Sequence, residues 1–362
     1  MKTRNFGLDV LRATAILFVL FNHILNYFIT FHRSTIWGDT FGILGVELFF
    51  VLSGFLIGRI LLTSFRKDMP KGTIKNFYIR RWFRTLPLYY FLLLIFVITA
   101  VIQYQKPDFH LLHFFFLQNM VPESLNFFSI SWSLAIEEWF YLLIPLILYF
   151  GFQHKLLTKK IMFFLLFLII AIACVRFMYV EVFNPTFDDV RKHLFFRFDS
   201  LLIGVLLAGI KLHMNGLYKQ LQKPIFPLIA IVGIIFLGSL YGEFFERGFL
   251  NISWPARVLS FPFLSGLIAL LLPFLETSSL INIHLWKIRG LREIIVWTSF
   301  LSYSLYLIHL TIFEGVKRTF MNVLDPLMML AIALFFSFVI AWFLYRYIER
   351  PFMQMRDKFT EK

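Results

Sequence analysis

The sequence predicts an all-α membrane protein, a polytopic bundle of about ten transmembrane helices with both termini cytoplasmic. Three observations carry this. Of 362 residues 59% are hydrophobic and only 15% charged, and the mean hydropathy is +0.76, a balance that belongs to lipid rather than water. Apolar windows long enough to cross a hydrocarbon core recur along the whole chain. Lys and Arg fall mainly in alternate connections between those windows.

The windows cover roughly 8–32, 41–63, 86–104, 129–151, 160–180, 192–212, 224–243, 256–276, 295–316 and 326–348. Pro145 interrupts the fourth, and Pro262 and Pro273 lie in the eighth; a bundle tolerates both where neighbours satisfy the freed backbone groups. The longest polar stretch, 64–85, is expected to end in an interfacial helix over 74–85, before Pro87 opens the third span. Placing the N-terminus and every second connection in the cytoplasm puts 24 of the 35 Lys and Arg there, eight on the opposite side and three (Arg12, Arg176, Arg197) inside spans. Lys317 and Arg318 fall on the wrong side of that scheme.

The net charge of +14 is read as topology signal beside anionic headgroups, so no nucleic acid partner is expected and membrane lipids are. The first apolar stretch is too long for a cleaved signal peptide. The single Cys174 excludes an internal disulfide and any cysteine-based metal site, and no metal is expected. There is no repeat of 20–50 residues, so 1–362 is taken as a single domain.

Ionisable groups inside spans are costly and face a bundle interior or a wet cavity. Arg12 and His23 are eleven residues apart, about 1,100° of helical rotation and ~16 Å of rise, so they share one face. Counted from the helix ends, Glu47, Glu137, Glu138, Arg176, Arg197, Asp199 and His309 all fall about 15–25 Å from the cytoplasmic side. Each is either half of a structural ion pair or hydrogen bond that fixes helix packing, or a substrate ligand. Glu137 and Glu138 point ~100° apart; Glu137 is expected to face the interior. Ser53 is either an acceptor-side ligand or part of the small-residue packing around Gly54 and Gly58. At the inner end Arg59, Arg80, Arg81 and Arg84 form a basic cluster suited to bidentate phosphate contact or to headgroup anchoring.

The blocks "LDVLRATAILFVLFNH", "GVELFFVLSGFLIGRIL", "RRWFRTLPLYY", "SWSLAIEEWFYLLIPL", "FRFDSLLIGVLLA", "SYSLYLIHL" and "YIERPF", taken together and in order, resemble the acyltransferase-3 family of bacterial integral-membrane O-acyltransferases. The resemblance implies transfer of an acyl group, usually acetyl, from cytoplasmic acyl-CoA to a hydroxyl of a surface glycan or its lipid-linked precursor, at the inner (cytoplasmic) membrane. The family's essential Arg-x10-His falls on Arg12 and His23, its Arg-x-x-Arg on Arg81 and Arg84, and its acidic residue before "LFFVLSGF" on Glu47. Glu stands at 47 for the commoner Asp, Ala135 where Ser is frequent and Trp139 where Gln is frequent. No extracytoplasmic hydrolase-like domain is expected after the bundle.

Acyl transfer from a thioester to an alcohol requires a base, a stabilised oxyanion and a held CoA. His23 is expected to be the general base, or the nucleophile of a covalent route, with Glu47 as its orienting partner. Arg81 and Arg84, helped by Arg80 and Arg59, are expected to hold the acetyl-CoA phosphates. Arg12 is expected to line the pantetheine path or polarise the thioester. Glu137, Asp199, Arg197, Ser53 and His309 are assigned to the acceptor or to a structural polar core. The alternatives are a polytopic secondary transporter, against which no pair of broken repeats is visible, and a relative that serves glycan export or assembly without catalysis.

Overall fold

The computed structural model describes residues 5–29, 35–65, 72–104, 109–153, 158–246, 248–277 and 290–360. Among them there are helices, turns and no strand. The helices are α1 Phe6–Phe28, α2 Thr35–Ser64, α3 Thr73–Tyr104, α4 Trp132–Gln153, α5 Thr158–Phe183, α6 Phe187–Lys192, α7 Phe198–His213, α8 Asn215–Leu221, α9 Ile225–Glu246, α10 Trp254–Thr277, α11 Leu291–Phe320, α12 Pro326–Leu344 and α13 Arg350–Phe359. Eight are long and apolar enough to cross a membrane; α7 and α8, bent by 117°, make a ninth if they are one span, and Ile225–Tyr241 is a shorter apolar helix. Within the described residues each of the ten apolar windows therefore overlaps a helix, the sixth mainly from Phe198 on, and the chain is a multi-pass membrane protein.

Local signals explain where several helices begin. Asn5 caps α1, its side-chain oxygen accepting the Leu8 amide at 3.2 Å. Asp325 caps α12 by accepting from Leu327 and Met328 at 2.9 and 3.1 Å, with Pro326 at the first helical position, where its missing N–H costs nothing. The third span departs from expectation. There is no separate interfacial helix over 74–85, because α3 runs unbroken through Pro87. Proline removes one backbone bond, to the carbonyl four residues back. The turn around it is anchored by buried Thr85, Leu88 and Tyr89, so the helix continues. The cations on the unexpected side are partly offset, since Arg318 pairs with Glu314 one turn earlier.

The chain divides into two compact units. The first comprises 1–65, 148–191 and 195–300, the second 66–147, 192–194 and 301–362. In the first, α2 packs closely on α1 and α7. A Cβ on Gly45 would lie 2.7 Å from the Ala15 carbonyl oxygen, one on Gly58 2.8 Å from Val205 Cα, and one on Gly54 would strike the Leu201 carbonyl. The Gly54 and Gly58 stripe is thus a helix-packing seam, and Ser53 stands beside it, half-buried.

In the second unit, tyrosines on α3 hold the turns that precede α4. Tyr89 and Tyr90 donate to the carbonyls of His113 and Phe114 at 2.9 and 2.8 Å. From α11, Tyr303 donates to the Thr85 carbonyl at 2.7 Å, and Tyr306 is hydrogen-bonded to Ser133 at 2.5 Å.

Candidate functional site

In the first unit the intramembrane charges form a sealed set. Arg197, with its side chain fully buried, donates to Glu47, to Ser200 Oγ at 3.0 Å and to the Arg191 carbonyl at 3.3 Å. Its guanidinium lies 4.0 Å from the centroid of the Phe261 ring. Arg176, equally buried, pairs with Asp199 at 2.8 Å and donates to the Phe196 and Val258 carbonyls. The set holds two carboxylates and two guanidiniums, whose ordinary charges cancel, which makes their burial tolerable. Glu47 also accepts from Ser265 at 2.8 Å. Its carboxylate is thereby occupied, and the expected hydrogen bond from His23 to Glu47 is not among its contacts. Buried Arg197 is the stronger claimant for an anion.

His23 is oriented by its own helix instead. Its Nδ1 lies 2.9 Å from the Val19 carbonyl, so the neutral ring carries its proton on Nδ1 and its lone pair on Nε2. Arg191 is close enough to act on the ring electrostatically, and Arg191 is bound in turn by Asp188 at 2.7 Å. Asn22 and Asn26, hydrogen-bonded to each other at 3.0 Å, continue the same polar end of α1. Arg191 was invisible as a neighbour of His23 in the sequence, where it belongs to a distant connection.

At the other end of α1, Arg12 pairs with Asp9 at 3.0 Å. Asp9 is 1% exposed and accepts from Ser299 at 3.0 Å. Arg59 pairs with Glu276 at 3.1 Å, and Glu276 also accepts from Lys211 at 2.5 and 2.6 Å and from Tyr218 at 2.6 Å. Two cations facing one carboxylate leave this cluster positive.

The second unit holds the remaining candidates. Arg81 reaches Glu137 at 3.4 Å and the Tyr141 hydroxyl, which itself donates to Glu137 at 2.6 Å; the guanidinium stacks 3.8 Å from the Tyr141 ring centroid. Arg84 has Arg81, Glu349, Tyr141 and Glu137 as its charged and phenolic neighbours, and Glu349 accepts from Ser304 at 3.0 Å. Arg80 is exposed. Glu137 was expected to face the interior; the structure encloses Glu138 as well. Glu137 is part-buried against Arg81, while Glu138 is only 6% exposed. His309 is fully buried, with Nδ1 2.8 Å from the Leu305 carbonyl and its ring against Tyr306 and Phe313, which fits a packed core histidine. Among the described residues no three His, Cys, Asp or Glu side chains gather as metal ligands.

The first unit thus carries an oriented imidazole, and the second carries paired arginines beside carboxylates and phenols. These are parts that acyl transfer needs. The chain is similar to the O-acetyltransferase OatA of Staphylococcus aureus strain NCTC 8325 / PS 47, at 29% identity over 95% of this chain and 56% of that protein. The same figures hold for OatA of S. aureus strain COL. The chain spans little more than half the length of these relatives. No solved structure matches it. A family model described as an acyltransferase domain matches residues 5–346: the chain belongs to the acyltransferase-3 family.

Proposed function

We propose that this chain is an O-acetyltransferase of the cytoplasmic membrane, moving an acetyl group from cytoplasmic acetyl-CoA to a hydroxyl of a surface glycan or its lipid-linked precursor. The observation that carries the reading is the orientation of His23. A backbone carbonyl fixes its Nδ1 proton, which presents Nε2 as a base, on the helix face that bears Arg12 ~16 Å away. The names of the S. aureus relatives support acetyl as the group transferred.

In this scheme Nε2 of His23 takes the acceptor hydroxyl proton as the oxygen attacks the thioester carbonyl. The tetrahedral oxyanion then collapses, the C–S bond breaks, and the imidazolium returns the proton to the CoA thiolate. Arg81 and Arg84, with the exposed Arg80, take the CoA phosphates. Arg59 is held by Glu276 and is assigned no direct phosphate contact. Arg12, held by Asp9, lines the donor's path. Glu47, Arg197 and Asp199 keep the first unit's helices in register.

Purified protein in lipid nanodiscs, given acetyl-CoA and saponified envelope glycan from a deletion strain, is expected to release CoA and form acetyl esters. His23→Ala is expected to do neither. CoA release without ester formation, or ester formation by His23→Ala, contradicts the reading; a transporter releases no CoA.

A further inference from the structure

Glu138 is buried in the second unit, and beyond a contact with the Thr85 hydroxyl its carboxylate oxygens have no hydrogen-bond partner among the described residues. Arg81 and Thr85 stand beside it, and Tyr89 and Tyr303 lie within its electrostatic reach. The Nε of Arg81 is likewise enclosed and without a partner. Gln118 donates its amide to the Ser131 carbonyl and hydroxyl at 3.2 and 3.0 Å, yet its own Oε1 is a third enclosed acceptor with no donor. Tyr89 neighbours both Gln118 and Glu138. Buried polar groups are normally paired, and exceptions point to a ligand, water or a functional role. Here the unfilled capacity lies on the acceptors Glu138 and Gln118 and on one N–H donor of Arg81, which calls for a partner rich in N–H and O–H groups that also offers a carbonyl.

The row has a direction. Arg81, Thr85 and Tyr89 are four residues apart on α3 and therefore share a face, about 12 Å from first to last. One end is the Arg81 and Arg84 pair, suited to phosphate. A ligand that fits is linear, anionic at one end, and carries amide N–H, hydroxyl and carbonyl groups along its stem. The geometry points to Glu138 and Gln118 as hydrogen-bond acceptors for the pantetheine arm of acyl-CoA, laid along α3 from Arg81 towards Tyr89. This rests on the acyl-CoA reading above. A free glycan offers hydroxyls but no phosphate at the arginine end; a phosphate-linked sugar would bring one, and the binding test below distinguishes it from the thioester donor.

The test measures binding by titration calorimetry to the full chain in nanodiscs. The two probes are CoA and adenosine 3′-phosphate 5′-diphosphate, which keeps the nucleotide and lacks pantetheine. Glu138→Leu is expected to weaken CoA about tenfold or more, the usual loss for a charged hydrogen bond, and to leave the nucleotide probe within about twofold. Glu138→Gln, which retains an acceptor oxygen, is expected to recover part of the loss. Gln118→Leu should act in the same sense, and these two variants carry the comparison if Glu138→Leu does not fold.

The inference is overturned if Glu138→Leu changes neither probe, if both weaken equally, or if only thermal stability moves, as for a trapped structural water. It is also overturned if only the glycan KM rises. Failure of the unmodified protein to bind either probe removes the acyl-CoA reading itself, and the inference with it.

Discussion

Replacing Glu47 by Ala tests the role the structure gives that residue. Arg197 and Glu47 are 0% and 1% exposed, so the substitution leaves a guanidinium inside the bundle without its closest anion. Removing one partner of a buried pair costs about 3–5 kcal/mol. Arg197 keeps Ser200, the Arg191 carbonyl, Asp199 at 4.0 Å and the Phe261 ring, so the lower end, about 3 kcal/mol, is expected. The double variant Glu47→Leu with Arg197→Met removes both charges and is expected to recover most of that loss, because an apolar pair is often as stable as a buried ion pair. Unfolding in mixed detergent titrated with SDS, followed by tryptophan fluorescence, reads both numbers. A Glu47→Ala protein within about 1 kcal/mol of the parent, or a double variant no more stable than the single, refutes the reasoning.

Three further outcomes follow from the structure. Gly54→Val is expected to destabilise the protein by about 1–3 kcal/mol or more, since any Cβ there meets the Leu201 carbonyl, whereas Gly315→Ala, with open space around it, should change little in the same titration. Arg84→Met should weaken CoA binding about tenfold or more in calorimetry, and Arg84→Lys should recover it only partly, because an ammonium lacks the bidentate fork. Burial holds His113, in the turns before α4, below its ordinary value of 6.5. The unfolded chain therefore takes up a proton that the folded one resists, and stability should fall as pH drops below 6.5. His113→Leu should flatten the decline in melting temperature between about pH 7.5 and 5.5.

The spans were legible because hydrocarbon imposes a length and a polarity that the sequence must show locally. The shared face of Arg12 and His23 followed from helix geometry alone, and Gly54 and Gly58 announced close packing by their spacing. What the sequence hid was partner choice. Glu47 looked like a mate for His23 because depth was all that could be counted; the contact that decides is with Arg197, 150 residues away. Pro87 looked like a helix start, yet buried neighbours on both sides carry α3 through it. Glu137 looked like the interior member of its pair, since ~100° of rotation on one helix could not show that Glu138 is buried as well. The turns bearing Gln118 and His113 have no periodic pattern to place them at all.

The most direct measurement is acetyl transfer by His23→Ala beside the parent protein in nanodiscs, with calorimetric CoA binding as the check on folding. Ester formation is expected to fall by about 100-fold or more, as for loss of a general base, while CoA affinity holds within about twofold. A His23→Ala protein that binds CoA and still forms acetyl esters at the parental rate would contradict the account.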